Sequence, residues 1–86
     1  MNNLEKYNQA FLTALSISPE QLSKNLCYQD IKEWDSVGHM ALISELEDSF
    51  DIMMDTNDII DFNSYQKGIE ILKKYNISFE WLQGVY

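Results

Sequence analysis

Apolar residues recur along this chain at helical rather than strand spacing. Leu4, Tyr7, Phe11, Ala14 and Leu15 fall on one side of a helix. Asn2 or Asn3 can cap its start, and Ser16 to Ser18 with Pro19 end it. A second stripe, His39, Leu42, Ile43, Leu46 and Phe50, marks a helix over Ser36 to Phe50 with Asp35 or Ser36 at the cap. Ala41, Ser44, Glu45, Glu47 and Asp48 fall largely off that stripe. A short helix is expected over Asp58 to Phe62. A fourth follows Asn63 or Ser64, with Tyr65, Ile69, Leu72 and Ile71 facing inward, and Asn63 with Gln66 has the spacing of a capping box. Lys73 and Lys74 suit its C-terminal end. Gly68 inside it costs about 1 kcal/mol relative to alanine, which points to a close contact.

Between the first two helices, Pro19 to Asp35 is too long for a structureless loop in a small domain. Leu22, Leu26, Ile31 and Trp34 are expected to fasten it down, with a single turn at Pro19-Glu20-Gln21-Leu22 and Pro19 near its first position. The pattern is that of one all-α domain: a bundle of four helices over residues 1–75, with a long first connection and a short third helix. An apolar tail over 76–86, carrying Ile77, Phe79, Trp81 and Leu82, is expected to pack on the same domain.

Composition agrees with that picture. The hydrophobic share is 45%, enough for a modest core, and three glycines and one proline leave few tight turns. Formal net charge is −8, and ten of the 14 acids lie between Asp30 and Asp61, where Lys32 is the only cation. Such a field disfavours nucleic acid and anionic membrane surfaces and favours partners with basic patches. By itself, the charge says no more than that a small protein is kept in solution. The single cysteine, Cys27, excludes an internal disulfide and reads as a small packing residue. The N-terminus lacks a signal-peptide layout, and no apolar run reaches the roughly 20 residues that span a bilayer. A monomer in the cytoplasm is expected.

Chemistry concentrates in Trp34-Asp35-Ser36-Val37-Gly38-His39-Met40. A serine here stands at a loop-to-helix junction, where a phosphate on its hydroxyl would meet free N–H groups and the positive helix end. The plain alternative is that Ser36 or Asp35 does nothing but cap the helix. A serine hydrolase is excluded, because the nucleophile elbow needs glycine where Trp34 stands and His39 lies on the same helix as Ser36. An EF-hand beginning at Asp51 fails too, with Met53, Thr56 and Phe62 at positions that require oxygen ligands or glycine. No metal site is expected.

The Asp35-Ser36-Val37 motif, the amphipathic helix behind it, its acidic end Glu45-Leu46-Glu47-Asp48-Ser49-Phe50, and the short and final helices together resemble the acyl carrier protein family. The resemblance covers about residues 4–75 and is strongest from Trp34 to Phe50. It implies no enzymatic activity. Ser36, with Asp35 beside it, would bear a covalent 4′-phosphopantetheine arm taken from coenzyme A by a phosphopantetheinyl transferase. The arm would hold acyl or aminoacyl groups as thioesters for loading and transfer enzymes of fatty-acid, polyketide or peptide biosynthesis. Partners would meet Val37, Met40, Ala41, Ser44, Glu47 and Asp48. Met53 and Met54 line a cargo cleft or, more simply, pack in the core. Gly38 and Ala41 stand where carriers of the primary fatty-acid pathway usually keep acids, which implies a specialised pathway. The alternative is an unmodified helical module that docks through its second helix.

Overall fold

The structure is a computed structural model and describes residues 2–79. Among the described residues four helices follow one another: α1 (Asn3–Leu15), α2 (Ser36–Phe50), α3 (Thr56–Asp61) and α4 (Tyr65–Lys73), with one 3-10 turn at Pro19–Gln21. The described residues hold no strand beyond one isolated antiparallel bridge between Cys27 and Ser64. No helix among them is long and apolar enough to cross a membrane.

Each helix starts where its sequence offers a cap. Asn2 accepts from the Glu5 N–H at 2.8 Å while its own N–H donates to the Glu5 carboxylate at 3.0 Å, a reciprocal capping box. In α4 the cap is Ser64, whose hydroxyl accepts from the Lys67 N–H at 3.0 Å. The expected pair of Asn63 and Gln66 does not form. The Gln66 amide instead donates to the Lys24 carbonyl oxygen at 3.0 Å, tying α4 to the long loop. Helix α3 begins two residues before the expected Asp58 and ends one residue before the expected Phe62, with Asp55 at its N-cap position and Phe62 at its C-cap.

The core gathers one side of α1, α2 and α4, while α3 adds only the partly buried Ile59 at its margin. Tyr7, Phe11 and Leu15 of α1 meet Leu42, Ile43 and Leu46 of α2, and Tyr65, Ile69, Ile71 and Leu72 of α4 close the other side. Leu4, Ala14 and Phe50, expected inside, are partly buried at the margin. Gly68 is buried where a Cβ would strike the Phe62 ring and the Tyr7 hydroxyl. That explains a glycine inside a helix. The Tyr7 hydroxyl itself donates to the Tyr65 carbonyl oxygen at 2.6 Å.

The long first connection is fastened as its apolar residues require. Leu26 and Trp34 are buried, and Leu22 and Ile31 are partly so. The bridge to the α3–α4 junction adds two backbone bonds, Tyr28 N–H to Asn63 O at 2.9 Å and Tyr65 N–H to Leu26 O at 2.8 Å. Cys27 differs from expectation: its backbone sits at this bridge, but its side chain is exposed and does not pack. Beyond α4, Ile77 and Phe79 are buried, and the Asn3 amide donates to the Ser78 carbonyl oxygen at 2.7 Å. Trp81 and Leu82 lie outside the described residues.

Candidate functional site

The loop ahead of α2 is built to deliver Ser36 to the surface. Trp34 is fully buried and anchors it, with its ring against Phe11 at 5.3 Å and Tyr28 at 6.2 Å between centroids. The Gln29 N–H donates to the Trp34 carbonyl oxygen at 3.1 Å, closing the turn before the helix. The chain then turns out, and Asp35 becomes the N-cap, its Oδ1 accepting from the Gly38 N–H at 2.8 Å. Capping belongs to Asp35, so the Ser36 hydroxyl is not consumed by it. Ser36 is the first residue of a 15-residue helix and is exposed.

Gly38 has a steric role that its sequence position did not announce. A Cβ there would run into the carbonyl oxygen of Glu33 and come within 3.1 Å of the Leu15 side chain. The missing side chain lets the loop cross the first turn of α2 while α1 packs close beneath it.

Beside Ser36 lies a surface cleft of about 300 Å³. One wall is His39 and Met40 of α2, the other is Ile59 and Ile60 of α3. Tyr28 of the loop and Phe62 and Asn63 after α3 complete it. Met53 and Met54, expected as possible lining, do not contribute. Met54 is buried in the core, and Met53 is 87% exposed elsewhere. Sequence reasoning missed Tyr28, Ile59, Ile60 and Asn63. The available signal was the Ile59-Ile60 pair in a helix too short to bury both, and Ile60 is indeed 70% exposed.

His39 holds the cleft together. The Trp34 indole N–H donates to its Nδ1 at 3.0 Å, and its Nε2 lies 2.9 Å from the Ile59 carbonyl oxygen. These partners assign the tautomer: Nδ1 accepts, and Nε2 carries the proton and donates. Both nitrogens are committed to positions other than Ser36, so His39 is no base for its hydroxyl.

Helix α3 is held from behind as well. Asp58 is buried, its two oxygens accepting from Lys74 Nζ and the Tyr75 hydroxyl, each at 2.6 Å. The Tyr75 oxygen in turn accepts from the Asp55 N–H at 2.9 Å, serving an N-terminus whose cap side chain makes no bond. The bond from Lys74, then that from Tyr75, holds the Asp58 carboxyl below the ordinary carboxylate range. The bond to Asp58 likewise raises Lys74, and that bond with burial raises Tyr75. Lys74, expected to serve the helix end, works as a clamp between α4 and α3. Among the described residues no three side chains gather as metal ligands.

The other surface residues fall as follows. Val37, Met40, Ala41, Ser44 and Asp48 are exposed, with Val37 at 78% and Met40 at 53%. Glu47 departs from the expectation of a free surface charge. It is half-buried, and its Oε2 accepts from the Met54 N–H at 2.9 Å, fixing the turn after α2.

No protein-family model matches the chain. A curated relative does: the acyl carrier protein of Buchnera aphidicola subsp. Schizaphis graminum is 31% identical over 77 residues, spanning 88% of this chain and 98% of the relative. Four helices, a long first connection, a short third helix and similarity along nearly the whole of that relative place this chain in the acyl carrier protein family, as a carrier and not an enzyme.

Proposed function

We propose that Ser36 carries 4′-phosphopantetheine and that the domain presents acyl or aminoacyl thioesters to partner enzymes. The observation that carries this reading is the division of labour at the start of α2: Asp35 takes the cap and Ser36 is left exposed. The residues present fit the group. A phosphate on Ser36 would lie at the N-terminus of a long helix, where the N–H groups of Ser36 and Val37 make no bond with other described residues. The apolar cleft begins at the same residue. Attachment joins the Ser36 oxygen to the β-phosphorus of coenzyme A and releases adenosine 3′,5′-bisphosphate, with the transferase supplying the base. When bound, the arm supplies a thiol that holds cargo as a thioester. The chain itself orients the arm and offers the docking surface.

Val37 and Met40, apolar and exposed within about a turn of Ser36, serve as anchors for partner enzymes, with Ala41 and Ser44 between them and the acidic end. Asp48 steers partners with basic patches. The first turn of α2 contains no acid beyond the Asp35 cap, so the negative field near Ser36 is weaker than an acid-rich first turn would make it, and the partner set is that of a specialised pathway.

Incubation with coenzyme A and a broad-specificity phosphopantetheinyl transferase, followed by intact-mass measurement, tests the proposal. Wild-type protein should gain one phosphopantetheinyl group and Ser36→Ala none. An unmodified wild type would favour a helical module that docks without an arm.

A further inference from the structure

The cleft beside Ser36 has a sealed floor. His39 crosses from α2 to the α3 backbone through its bond to Ile59, and Trp34 holds its other face. The His39 ring lies 5.9 Å from Phe62 in an edge contact and stacks at 6.2 Å on Trp34. Beneath it the interior is occupied by the largest fully buried side chains among the described residues, Trp34, Tyr7, Phe11 and Phe62. No buried side-chain polar atom among the described residues lacks a partner. A chain entering between α2 and α3 would have to swing His39 aside. That would orphan the indole N–H and the Ile59 carbonyl together, and an entering aliphatic chain offers neither a substitute bond. The interior is also filled by rigid rings, which give way less readily than flexible aliphatic side chains.

We infer that this carrier does not take its cargo into the bundle. The cleft is open to the surface and ends at the His39–Phe62 floor. It can cover a short acyl or aminoacyl group, while a long aliphatic chain is left in water. The cargo class is therefore short acyl or aminoacyl groups, and His39 and Trp34 are the residues that set the limit. The inference rests on the carrier reading of Ser36.

The test compares holo protein charged with butyryl and with dodecanoyl groups, each loaded from the corresponding coenzyme A thioester by the transferase and verified by intact mass. A sealed floor gives the same urea midpoint for both forms and an unmoved Trp34 indole N–H resonance. Retention on a hydrophobic-interaction column should rise strongly for dodecanoyl, because the chain is exposed. A urea midpoint that climbs from butyryl to dodecanoyl, with a displaced Trp34 indole signal, overturns the inference while leaving the carrier reading intact. Failure of any arm to attach overturns both, and the mass measurement tells the two failures apart. His39→Ala opens the floor, so in that variant dodecanoyl should raise the midpoint above butyryl. A folded His39→Ala with no such dependence would assign the limit to something other than this ring. Should the variant not fold, the wild-type comparison decides alone.

Discussion

The Asp58 carboxylate and the Lys74 ammonium lie 2.6 Å apart, one on the short helix that walls the cleft and the other at the C-cap of α4. Tyr75 bonds the second carboxylate oxygen and the Asp55 N–H, so α3 is held by two adjacent residues of the same turn. Ile59 and Ile60 follow directly, and their position at the cleft depends on this clamp.

Its pH dependence has a definite sign. The Asp58 carboxyl is lower in the folded state than in the unfolded chain, so its contribution is present above the unfolded value of about 4 and is lost as pH falls through the folded value. Lys74 and Tyr75 are raised, so their contribution is present below about 10 and is lost as pH rises through their folded values. An asparagine in place of the acid would offer one acceptor oxygen to two donors. Asp58→Asn is expected to cost about 1.5–3 kcal/mol at neutral pH. The gap to wild type should narrow as the pH drops below about 4, as urea unfolding at a series of pH values would measure. A gap that persists unchanged at low pH contradicts the clamp.

Separating cap from attachment point gives a second prediction. Asp35→Ala should lower stability by about 1 kcal/mol, the usual value of an N-cap side chain. Ser36→Ala should leave the thermal midpoint unchanged, since Asp35 makes the capping bond. Equal losses in both variants would show that Ser36 is a structural residue after all.

How much of this was legible beforehand divides along physical lines. Bounds of α1 and α2 follow from stripes such as Leu42, Ile43 and Leu46 and from caps such as Asn2 and Asp35, because both signals are local. The anchoring of the long connection by Leu26 and Trp34 was readable from their isolation among polar neighbours. The Asp58–Lys74–Tyr75 clamp, the Glu47–Met54 bond and the Trp34–His39 floor were not, since each joins residues with no fixed spacing. Asn63 and Gln66 had the right spacing for a box, yet the neighbouring loop offered Gln66 a competing acceptor in Lys24. Only the fold decides such choices. At Ser36 the start of the helix was readable from the sequence, while the cleft beside it depended on where Tyr28 and Ile59 arrived.

The two close glycine contacts yield a third prediction. Gly38→Ala would force the Glu33 carbonyl or α1 to move, and Gly68→Ala would force the Phe62 ring and Tyr7 hydroxyl apart. Each is expected to destabilise by about 1–3 kcal/mol despite the higher helix propensity of alanine. Chemical denaturation gives the sign at once, and stabilisation by either substitution would contradict the close approach.

Glu47 and Asp48, adjacent and both acidic, should behave differently. Asp48→Lys is expected to slow transfer to a partner enzyme several-fold at low salt, with the effect fading as ionic strength rises and stability unaltered. Glu47→Ala should lower stability by about 1–3 kcal/mol, because the Met54 N–H loses its carboxylate acceptor. Matched transfer kinetics and urea titrations on the two variants would reveal this split. Identical behaviour would contradict it.

Several serines are candidates for modification, among them Ser44, Ser49 and Ser64. Only Ser36 joins exposure to the start of a long helix and to the mouth of the cleft. Tandem mass spectrometry of digested holo protein tests this most directly. The phosphopantetheinyl group should be ejected from the peptide containing Ser36 and from no other. An arm mapped to another serine, or no arm on any peptide of protein treated with transferase and coenzyme A, would contradict it.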